Sequence, residues 1–312
     1  MTRIVYLEYP DDLPAWAVQT LSGLGELEVY HEQPDEETAR RLLATADIAV
    51  IERTPITGGT LRGVRRLRHI VLAASDFGYI DVAAAADRGI TVSNTPGYST
   101  KSVAEHAFAL FLCLARNVTG TGGPRPVGTR FLDSGPGKEL YGATLGILGL
   151  GGIGRWVARI GLGFGMRVQA FNRSPVAFPG VAAGTLEEVL ATSEYVAACL
   201  PTTGTAGLLS RERLALLRDG AVFVNISANS MLDEAALADL LEAGRLYGVG
   251  LEYAADPRLL SSPRAIVTHG TAWYTSATID RKMSMVADTV RTCLDGKPRF
   301  VVNAAQLRGP PP

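Results

Sequence analysis

The stretch that decides the fold is residues 144–174, which read TLGILGLGGIGRWVARIGLGFGMRVQAFNRS. Its apolar start predicts a buried parallel strand, because such strands have both faces covered. Residues 149–154, GLGGIG, match the pattern G-x-G-x-x-G, and apolar residues at helical spacing follow. A second apolar run then ends at Asn172. The stretch therefore predicts a strand, a tight turn, a helix and a second strand, which is the context that a dinucleotide-binding fingerprint requires.

Each glycine of this turn has a physical reason to be there. Gly149 permits the tight turn, Gly151 lets a pyrophosphate approach the backbone, and Gly154 lets the helix lie close to the strand. The free N–H groups at the helix start, around Gly152 and Ile153, favour an anion. These five residues are the predicted phosphate site. The alternative is a close-packed turn in an α/β domain that binds nothing.

The end of the second strand bears on the choice of cofactor. A site selective for NAD usually carries Asp or Glu about 20 residues after the glycines, where the carboxylate binds the ribose 2′-OH. Here that position holds Asn172, followed by Arg173 and Ser174. No carboxylate would repel a 2′-phosphate, and the Arg173 guanidinium could pair with one. We therefore predict NADP(H) rather than NAD(H). The alternative is that Arg173 is a solvated surface residue and the site is indifferent.

Composition excludes several classes of partner. The chain has 312 residues, 47% hydrophobic and 20% charged, which is enough for two domains with good cores. A net charge of −1 gives no electrostatic reason to expect nucleic acid or an anionic membrane. The first residues lack the apolar segment of a signal peptide, and no apolar run could span a bilayer, so we expect a cytoplasmic protein. The three cysteines are isolated and predict neither a disulfide nor a metal site.

Strands and helices alternate along the chain on both sides of the fingerprint, which predicts an α/β protein. We also expect a helix over residues 61–67. Residues 94–97, NTPG, break the pattern and predict a hinge. The last helix, over residues 276–294, is expected to return to the first domain. The predicted domains are therefore 1–97 with 277–312, for substrate, and 98–276, for dinucleotide.

Several long segments resemble the D-2-hydroxyacid dehydrogenase family. They are GITVSNTPGYSTKSVAEHAFALFLCLAR (89–116), ELYGATLGILGLGGIGR (139–155), LPTTGTAGLLSRERLALLRDGAVFVNIS (200–227), LDEAALADLLEAG (232–244) and AWYT (272–275). The resemblance implies two Rossmann- or flavodoxin-like domains, each a parallel sheet flanked by helices, with cofactor and substrate in the cleft between them. It also implies a homodimer built on the long helix and the loop 120–137. Further residues expected near the cofactor are Leu200, Pro201, Thr205, Ile226 and Glu252; Glu252 could instead hold a loop.

The chain departs from this family where the family carries its catalytic residues. Such enzymes use an Arg that binds the substrate carboxylate and carbonyl, a His that is the general acid and base, and a Glu that holds the His. Here the Arg position, three residues after Asn225, holds Ala228. Gly270 stands in the His position, with His269 before it. The segment that carries the Glu is one residue shorter, and only Asp256 could stand in.

These departures predict a rebuilt active site. His269 could still act if its loop shifts by one residue, with Asp256 orienting it. Asp76 lies where relatives bind the substrate carboxylate on backbone amides, so it would repel a carboxylate and suit a cationic or hydroxylated group, or act as a base. Asn229 and Tyr274 are uncharged hydrogen-bond donors. The alternative in each case is ordinary capping or loop bonding.

Together these features favour an NADP(H)-dependent oxidoreductase whose small-molecule substrate is not a simple 2-hydroxy acid but, for example, an imine or a ketone. A general acid or base contributes about 10²–10⁴ in rate, so the missing His argues against ordinary family turnover. Two alternatives stay open: a lyase, isomerase or hydrolase on the same fold, and a non-catalytic nucleotide-sensing protein.

Overall fold

The structure, a computed structural model, describes residues 1–8, 13–118, 136–201 and 204–307. The chain divides into two compact units, Met1–Ser99 with Thr275–Pro312 and Thr100–Tyr274. Most of the loop 120–137, which we expect to take part in a dimer, lies outside the described residues. Among the helices of the described ranges, none is both long enough and apolar enough to cross a membrane.

The first unit is built on a parallel sheet of five strands. Its elements are β1 Arg3–Leu7, α1 Ala15–Leu24, β2 Glu26–Tyr30, α2 Glu36–Leu43, β3 Ile48–Ile51, β4 His69–Leu72, α3 Val82–Ala86 and β5 Thr91–Ser93. The strands lie in the order β2-β1-β3-β4-β5, which is the flavodoxin-like order. Because β3 is buried along its whole length, its sequence IAVI is a continuous apolar run rather than an alternating one.

The end of the chain completes the first unit. The last elements are α10 Ser276–Leu294 and α11 Ala304–Leu307. On α10 the buried residues Met283, Val286 and Val290 recur at helical spacing and pack in one cluster with Ile4 and Val50 of the sheet. The helix therefore covers one face of the first sheet.

The second unit is built on a parallel sheet of seven strands. Its elements are α4 Thr100–Ala115, β6 Thr144–Leu148, α5 Gly152–Gly163, β7 Arg167–Phe171, β8 Val181–Ala183, α6 Leu186–Thr192, β9 Tyr195–Ala198, α7 Arg211–Leu214, β10 Ala221–Asn225, α8 Glu234–Glu242, β11 Leu246–Leu251, α9 Pro257–Ser261 and β12 Ala265–Val267. The order β12-β11-β10-β9-β6-β7-β8 reverses at β6, as in dinucleotide-binding sheets. All strands are parallel, so their carboxyl ends share one edge.

These two sheets confirm the predicted fold class, but the prediction of a helix over residues 61–67 is wrong. The backbone there forms turns, and Gly63 has φ of 77°. Just before it, the Thr57 hydroxyl accepts hydrogen bonds from the amides of Gly59 and Thr60, both at 3.1 Å. A side chain that bonds the backbone in this way offers an alternative to helical hydrogen bonds. The strand β8 and the helix α6 were not predicted from the sequence.

Candidate functional site

The glycine turn after β6 can be built only from glycine at two of its positions. Gly149 has φ of 97°, and a Cβ there would lie 2.7 Å from the carbonyl oxygen of Cys199. A Cβ on Gly154 would collide with the carbonyl oxygen of Gly149. Gly151 differs, because a Cβ there would meet nothing within 4 Å. It is the N-cap of α5 and offers no side chain to the first-turn amides. Open space beside free N–H groups fits a pyrophosphate.

Gly152 and Ile153 form the start of α5, where they were predicted. The carboxyl end of β7 lies beside the same turn. Asn172 accepts a hydrogen bond from the Leu150 amide at 3.1 Å through Oδ1. Its Nδ2 donates to the Ser174 carbonyl at 2.7 Å. The Asn172 side chain thus ties the strand end to the glycine turn.

Arg173 and Ser174, next along the chain, are exposed. An open pocket with an empty volume of about 330 Å³ adjoins this strand end. Its lining residues are Leu150, Ala170, Asn172, Ser174, Pro175, Val176, Val181, Ala182, Ala183 and Gly184. Arg173 stands in the chain between two of the lining residues, Asn172 and Ser174.

The other residues predicted near the cofactor follow neighbouring strands at the same edge. Leu200 and Pro201 come after β9, and Ile226 comes after β10 and is buried. The Thr205 hydroxyl donates to the Pro201 carbonyl at 2.6 Å, which closes the loop after β9. In parallel α/β sheets, ligands bind outside the carboxyl ends of the strands. The predicted cofactor residues of this unit therefore lie at the binding edge.

Glu252, directly after β11, uses both carboxylate oxygens within the fold. Oε1 accepts from the Thr268 hydroxyl at 2.6 Å and lies 3.3 Å from Nε2 of His106, while Oε2 accepts from the Ala272 amide at 3.1 Å. Burial acts to raise the pKa of Glu252, but the hydrogen bonds from His106, Thr268 and Ala272 outweigh it and hold that pKa below its usual value. The geometry gives Glu252 the loop-holding role.

The loop that Glu252 holds contains two successive residues in the left-handed region. His269 has φ of 54° and Gly270 has φ of 82°. His269 is exposed, and its ring makes no hydrogen bond to another described residue. At Gly270 a Cβ would collide with the hydroxyl of Tyr253 and lie 2.6 Å from Cζ of its ring. The space where a side chain of residue 270 would begin is therefore filled by Tyr253.

Two of the predicted catalytic side chains bond inside this region. Asn229 donates through Nδ2 to Glu234 Oε1 at 2.7 Å and to the Tyr253 carbonyl at 2.6 Å. Asp256 is the N-cap of α9, and Arg258 holds both of its oxygens, with Nη2 to Oδ2 at 2.8 Å. The hydrogen bonds from Arg258 keep the pKa of Asp256 low. Asp256 makes no described hydrogen bond or ion pair to the His269 ring. Both side chains are engaged in shaping the loop.

The remaining two candidates are exposed. Tyr274 is 50% exposed and packs edge-on against Trp273, with ring centroids 5.3 Å apart. Asp76, in the first unit, accepts a hydrogen bond from the Gly78 amide at 3.0 Å and so caps its own turn. Tyr253 was not among the site residues predicted from the sequence. It directly follows Glu252 at the end of β11, and successive residues there point to opposite faces, so this position is the sequence signal that could have indicated it.

Known proteins match both the fold and the sequence of this chain. The family model described as D-isomer specific 2-hydroxyacid dehydrogenase, NAD binding domain, matches residues 108–269. The D-3-phosphoglycerate dehydrogenase of Mycobacterium bovis is 32% identical over 308 residues, which cover 94% of this chain. This chain spans only 58% of the length of that relative. The hydroxypyruvate reductase of Thermotoga maritima is 33% identical over 245 residues, 78% of this chain and 80% of that protein.

Among solved structures, an acyclic imino acid reductase in complex with NADPH and D-Arg superposes with a TM-score of 0.85. It is 29% identical, and the match covers 96% of this chain and all of that chain. The sequence matches, the strand order and the glycine turn all indicate the same family. The chain belongs to the D-isomer specific 2-hydroxyacid dehydrogenase family.

Proposed function

We propose that this protein is an NADP(H)-dependent oxidoreductase that reduces a C=N or C=O bond in a small substrate other than a simple 2-keto acid. Its relatives are named as dehydrogenases and reductases, and the family model that it matches describes an NAD binding domain. The observation that carries the proposal is the end of β7. There Asn172 bonds the glycine turn and stands where Asp or Glu would favour NAD. Arg173, an exposed cation, follows it.

The cofactor preference is supported by charge. The glycine turn would hold the pyrophosphate, and Asn172, Arg173 and Ser174 would face the adenosine ribose. A guanidinium can bind a 2′-phosphate through charge-assisted hydrogen bonds, whereas Asp or Glu would repel it. The structural neighbour in complex with NADPH supports the same preference.

The substrate class is supported by the residues that the site lacks. Ala228 offers no cation for a substrate carboxylate, and Gly270 offers no acid or base. The resemblance implies that Asp76 stands where relatives bind the substrate carboxylate, and at about 4 Å and an effective dielectric constant of about 20 that like charge would cost on the order of 4 kcal/mol. The same charge would attract an amino group on the substrate. The neighbouring imino acid reductase, whose complex contains the cationic D-Arg, supports a nitrogen-bearing substrate.

In this proposal the roles of the chain's own residues are clear. When bound, the reduced nicotinamide supplies a hydride. The glycine turn and α5 fix the phosphates, and Glu252 keeps the loop 268–272 in place beside the carboxyl end of β11. Asp76 would favour a substrate with a positive charge. Proton donation needs a further group, since residue 270 has no side chain.

A calorimetric titration with NADPH, NADH, NADP⁺ and NAD⁺ tests the cofactor assignment. We expect Arg173→Asp to weaken NADPH binding by about 10- to 100-fold, because a hydrogen bond to a charged group contributes about 1.5–3 kcal/mol. NADH affinity should stay within about twofold, since NADH lacks the 2′-phosphate.

Arg167→Asp is the matched control for this titration. Arg167 begins the same strand, β7, so the same reversal of charge acts at the opposite edge of the sheet. NADPH affinity should be nearly unchanged in this variant. Equal NADPH affinity in wild type and Arg173→Asp would refute the 2′-phosphate assignment. If none of the four nucleotides binds, the oxidoreductase proposal fails.

A further inference from the structure

We infer that Tyr253 is the proton donor of this site, with its phenolic hydroxyl in the place left open by Gly270. The inference rests on the proposed reductase function and adds to it the acid that the reduction needs. It assigns a role to a side chain that has none in the resemblance described above.

Tyr253 contacts the backbone at Gly270. A Cβ on residue 270 would collide with the Tyr253 hydroxyl, and Cζ and Cε1 of the ring lie 2.6 and 3.1 Å from that Cβ position. Residue 270 has φ of 82°, which a side chain other than hydrogen rarely tolerates. The chain therefore holds a glycine where its family holds the His, and a phenol from the neighbouring loop reaches that point.

The backbone beneath Tyr253 is fixed from both sides. Its carbonyl accepts from Asn229 Nδ2 at 2.6 Å, and the carbonyl of Glu252 accepts from the Gly270 amide at 3.0 Å. Glu234 accepts from the amides of residues 255 and 256 at 2.7 and 2.9 Å. A donor must be held within a fraction of an ångström of its working position. These bonds give Tyr253 a rigid base.

The Tyr253 hydroxyl is available for chemistry. Successive residues after a strand point to opposite sides, so Glu252 is buried at 7% exposure while Tyr253 is 54% exposed. Within the described ranges the Tyr253 hydroxyl makes no hydrogen bond. It follows β11, in the half of the sheet beyond the β6 reversal, away from the β7 end that takes the adenosine ribose.

The other candidates in the second unit are less suited to this role. Asp256 is held by Arg258 through both oxygens, and Asn229 already donates to two acceptors. An amide is also not an acid. Tyrosine, in contrast, is among the side chains that act as general acids.

The step balances in atoms and charge. The carbon of the C=O or C=N bond accepts the hydride from the reduced nicotinamide, and its π electron pair moves to the heteroatom. Tyr253 donates its phenolic proton to that atom, which yields the alcohol or the amine. Water then returns a proton to the phenolate, and the nicotinamide is left oxidised.

The decisive experiment needs no substrate. The protein is labelled with ¹³Cζ-tyrosine, and its tyrosine resonances are compared at one pH in saturating NADP⁺ and in saturating NADPH. Tyr253→Phe assigns the resonance of interest. Tyr141→Phe assigns a control phenol that is 79% exposed and precedes β6, at the amino edge of the sheet.

The two cofactors differ by the positive charge of the oxidised nicotinamide ring. If Tyr253 faces that ring, the chemical shift of its ¹³Cζ differs between the NADP⁺ and NADPH complexes, because the charge beside the phenol differs. The Tyr141 resonance should be the same in both. Equal Tyr253 chemical shifts in two demonstrated complexes would overturn this inference and leave the proposed function standing. Absence of any nucleotide complex would overturn both.

A kinetic arm uses acetone and phenylacetone, which carry no carboxylate, each with and without methylamine to form the imine. For any of these probes that the wild type reduces, Tyr253→Phe should lower kcat by about 100-fold or more, because it removes the general acid. NADPH affinity should be unchanged, and Tyr141→Phe should keep the wild-type kcat. An unchanged kcat in Tyr253→Phe would overturn the inference.

Discussion

Glu52 and Glu252 occupy the same kind of position in the two units, yet their pKa values are shifted in opposite directions. Each directly follows a buried strand, β3 or β11. Glu52 receives Lys282 Nζ at 2.5 Å and the Tyr6 hydroxyl at 3.2 Å, both on Oε1. Burial raises the pKa of Glu52 although Lys282 acts to lower it. Glu252 instead has donors on both oxygens, and its pKa is lowered.

The difference shows that the arrangement of donors matters more than burial alone. An ion pair in the interior repays its loss of hydration only if the remaining lone pairs are also satisfied. Glu252 meets this condition through Thr268 and the Ala272 amide, one on each oxygen. Glu52 joins β3 and α10, which lie far apart in the sequence. Its two donors, Lys282 and Tyr6, both bond the same oxygen, Oε1. One carboxylate holds a loop, and the other fastens a helix to a sheet.

The largest effect should come from breaking the Glu52 pair. Lys282→Met leaves a carboxylate in the interior without its cation, because Lys282 is only 1% exposed. We expect the free energy of unfolding to fall by about 3–5 kcal/mol, measured by urea denaturation. Lys282→Met with Glu52→Gln should recover much of this loss, because the uncompensated charge is then absent. Lys297→Met, at an exposed lysine of the same unit, should change stability by less than about 0.5 kcal/mol.

A smaller effect should come from the loop that Glu252 holds. Gly270→Ala forces a side chain into the left-handed region, which costs about 1–2 kcal/mol, and into contact with Tyr253. Gly244→Ala is the matched control, because Gly244 has φ of 72° but nothing within 4 Å of its Cβ position. Thermal unfolding should show a larger loss at residue 270. If adding Tyr253→Ala leaves the difference between the two sites unchanged, the contact is not responsible.

The smallest effect should be opposite pH dependences of the two carboxylates. The folded-state pKa of Glu252 lies below its ordinary 4.5, so its contribution to stability is complete above pH 4.5 and is lost as the pH falls through the folded-state pKa. The folded-state pKa of Glu52 is raised, so its contribution is present below pH 4.5 and is lost as the pH rises through the folded-state pKa.

Urea unfolding from pH 3.5 to pH 7 separates the two contributions. Glu252→Gln should lose less stability than the wild type on acidification. The double variant Glu52→Gln with Lys282→Met should lose less on the way from pH 4.5 to neutrality. Parallel curves for wild type and both variants would contradict the assigned directions.

The fold could be predicted where its signals are local. The glycine turn of residues 149–154 and the apolar runs on either side determine a strand, a helix and a second strand within one short segment. The helix α6 had such a signal too, because Thr185 and Glu188 form a capping box that the sequence already spells out as T-x-x-E. The helix predicted over residues 61–67 was wrong because the spacing of apolar residues does not report the turn that Thr57 and Gly63 form.

The sequence indicates candidate residues for the cofactor through local patterns, but it does not indicate which side chains meet across the strand ends. The contact of Tyr253 with Gly270 joins two loops that only the sheet brings together, and no local pattern indicates it. The same holds for Lys282 and Glu52, which come from opposite ends of the chain. The sequence shows which of the family's catalytic residues are absent. Which side chain lies in the position of an absent residue depends on the geometry of the neighbouring strand ends.

The division of the first unit between both ends of the chain also affects its synthesis. All strands of the second sheet lie within residues 144–267, so that sheet can close on the ribosome as soon as β12 emerges. The apolar face of the first sheet that includes Ile4 and Val50 is covered only in part, by Ala17 and Leu21 of α1, until α10 follows. At about 5–20 residues per second, making the second unit leaves that cover incomplete for roughly 10 to 35 s. During that time the nascent chain exposes apolar surface that the finished protein buries.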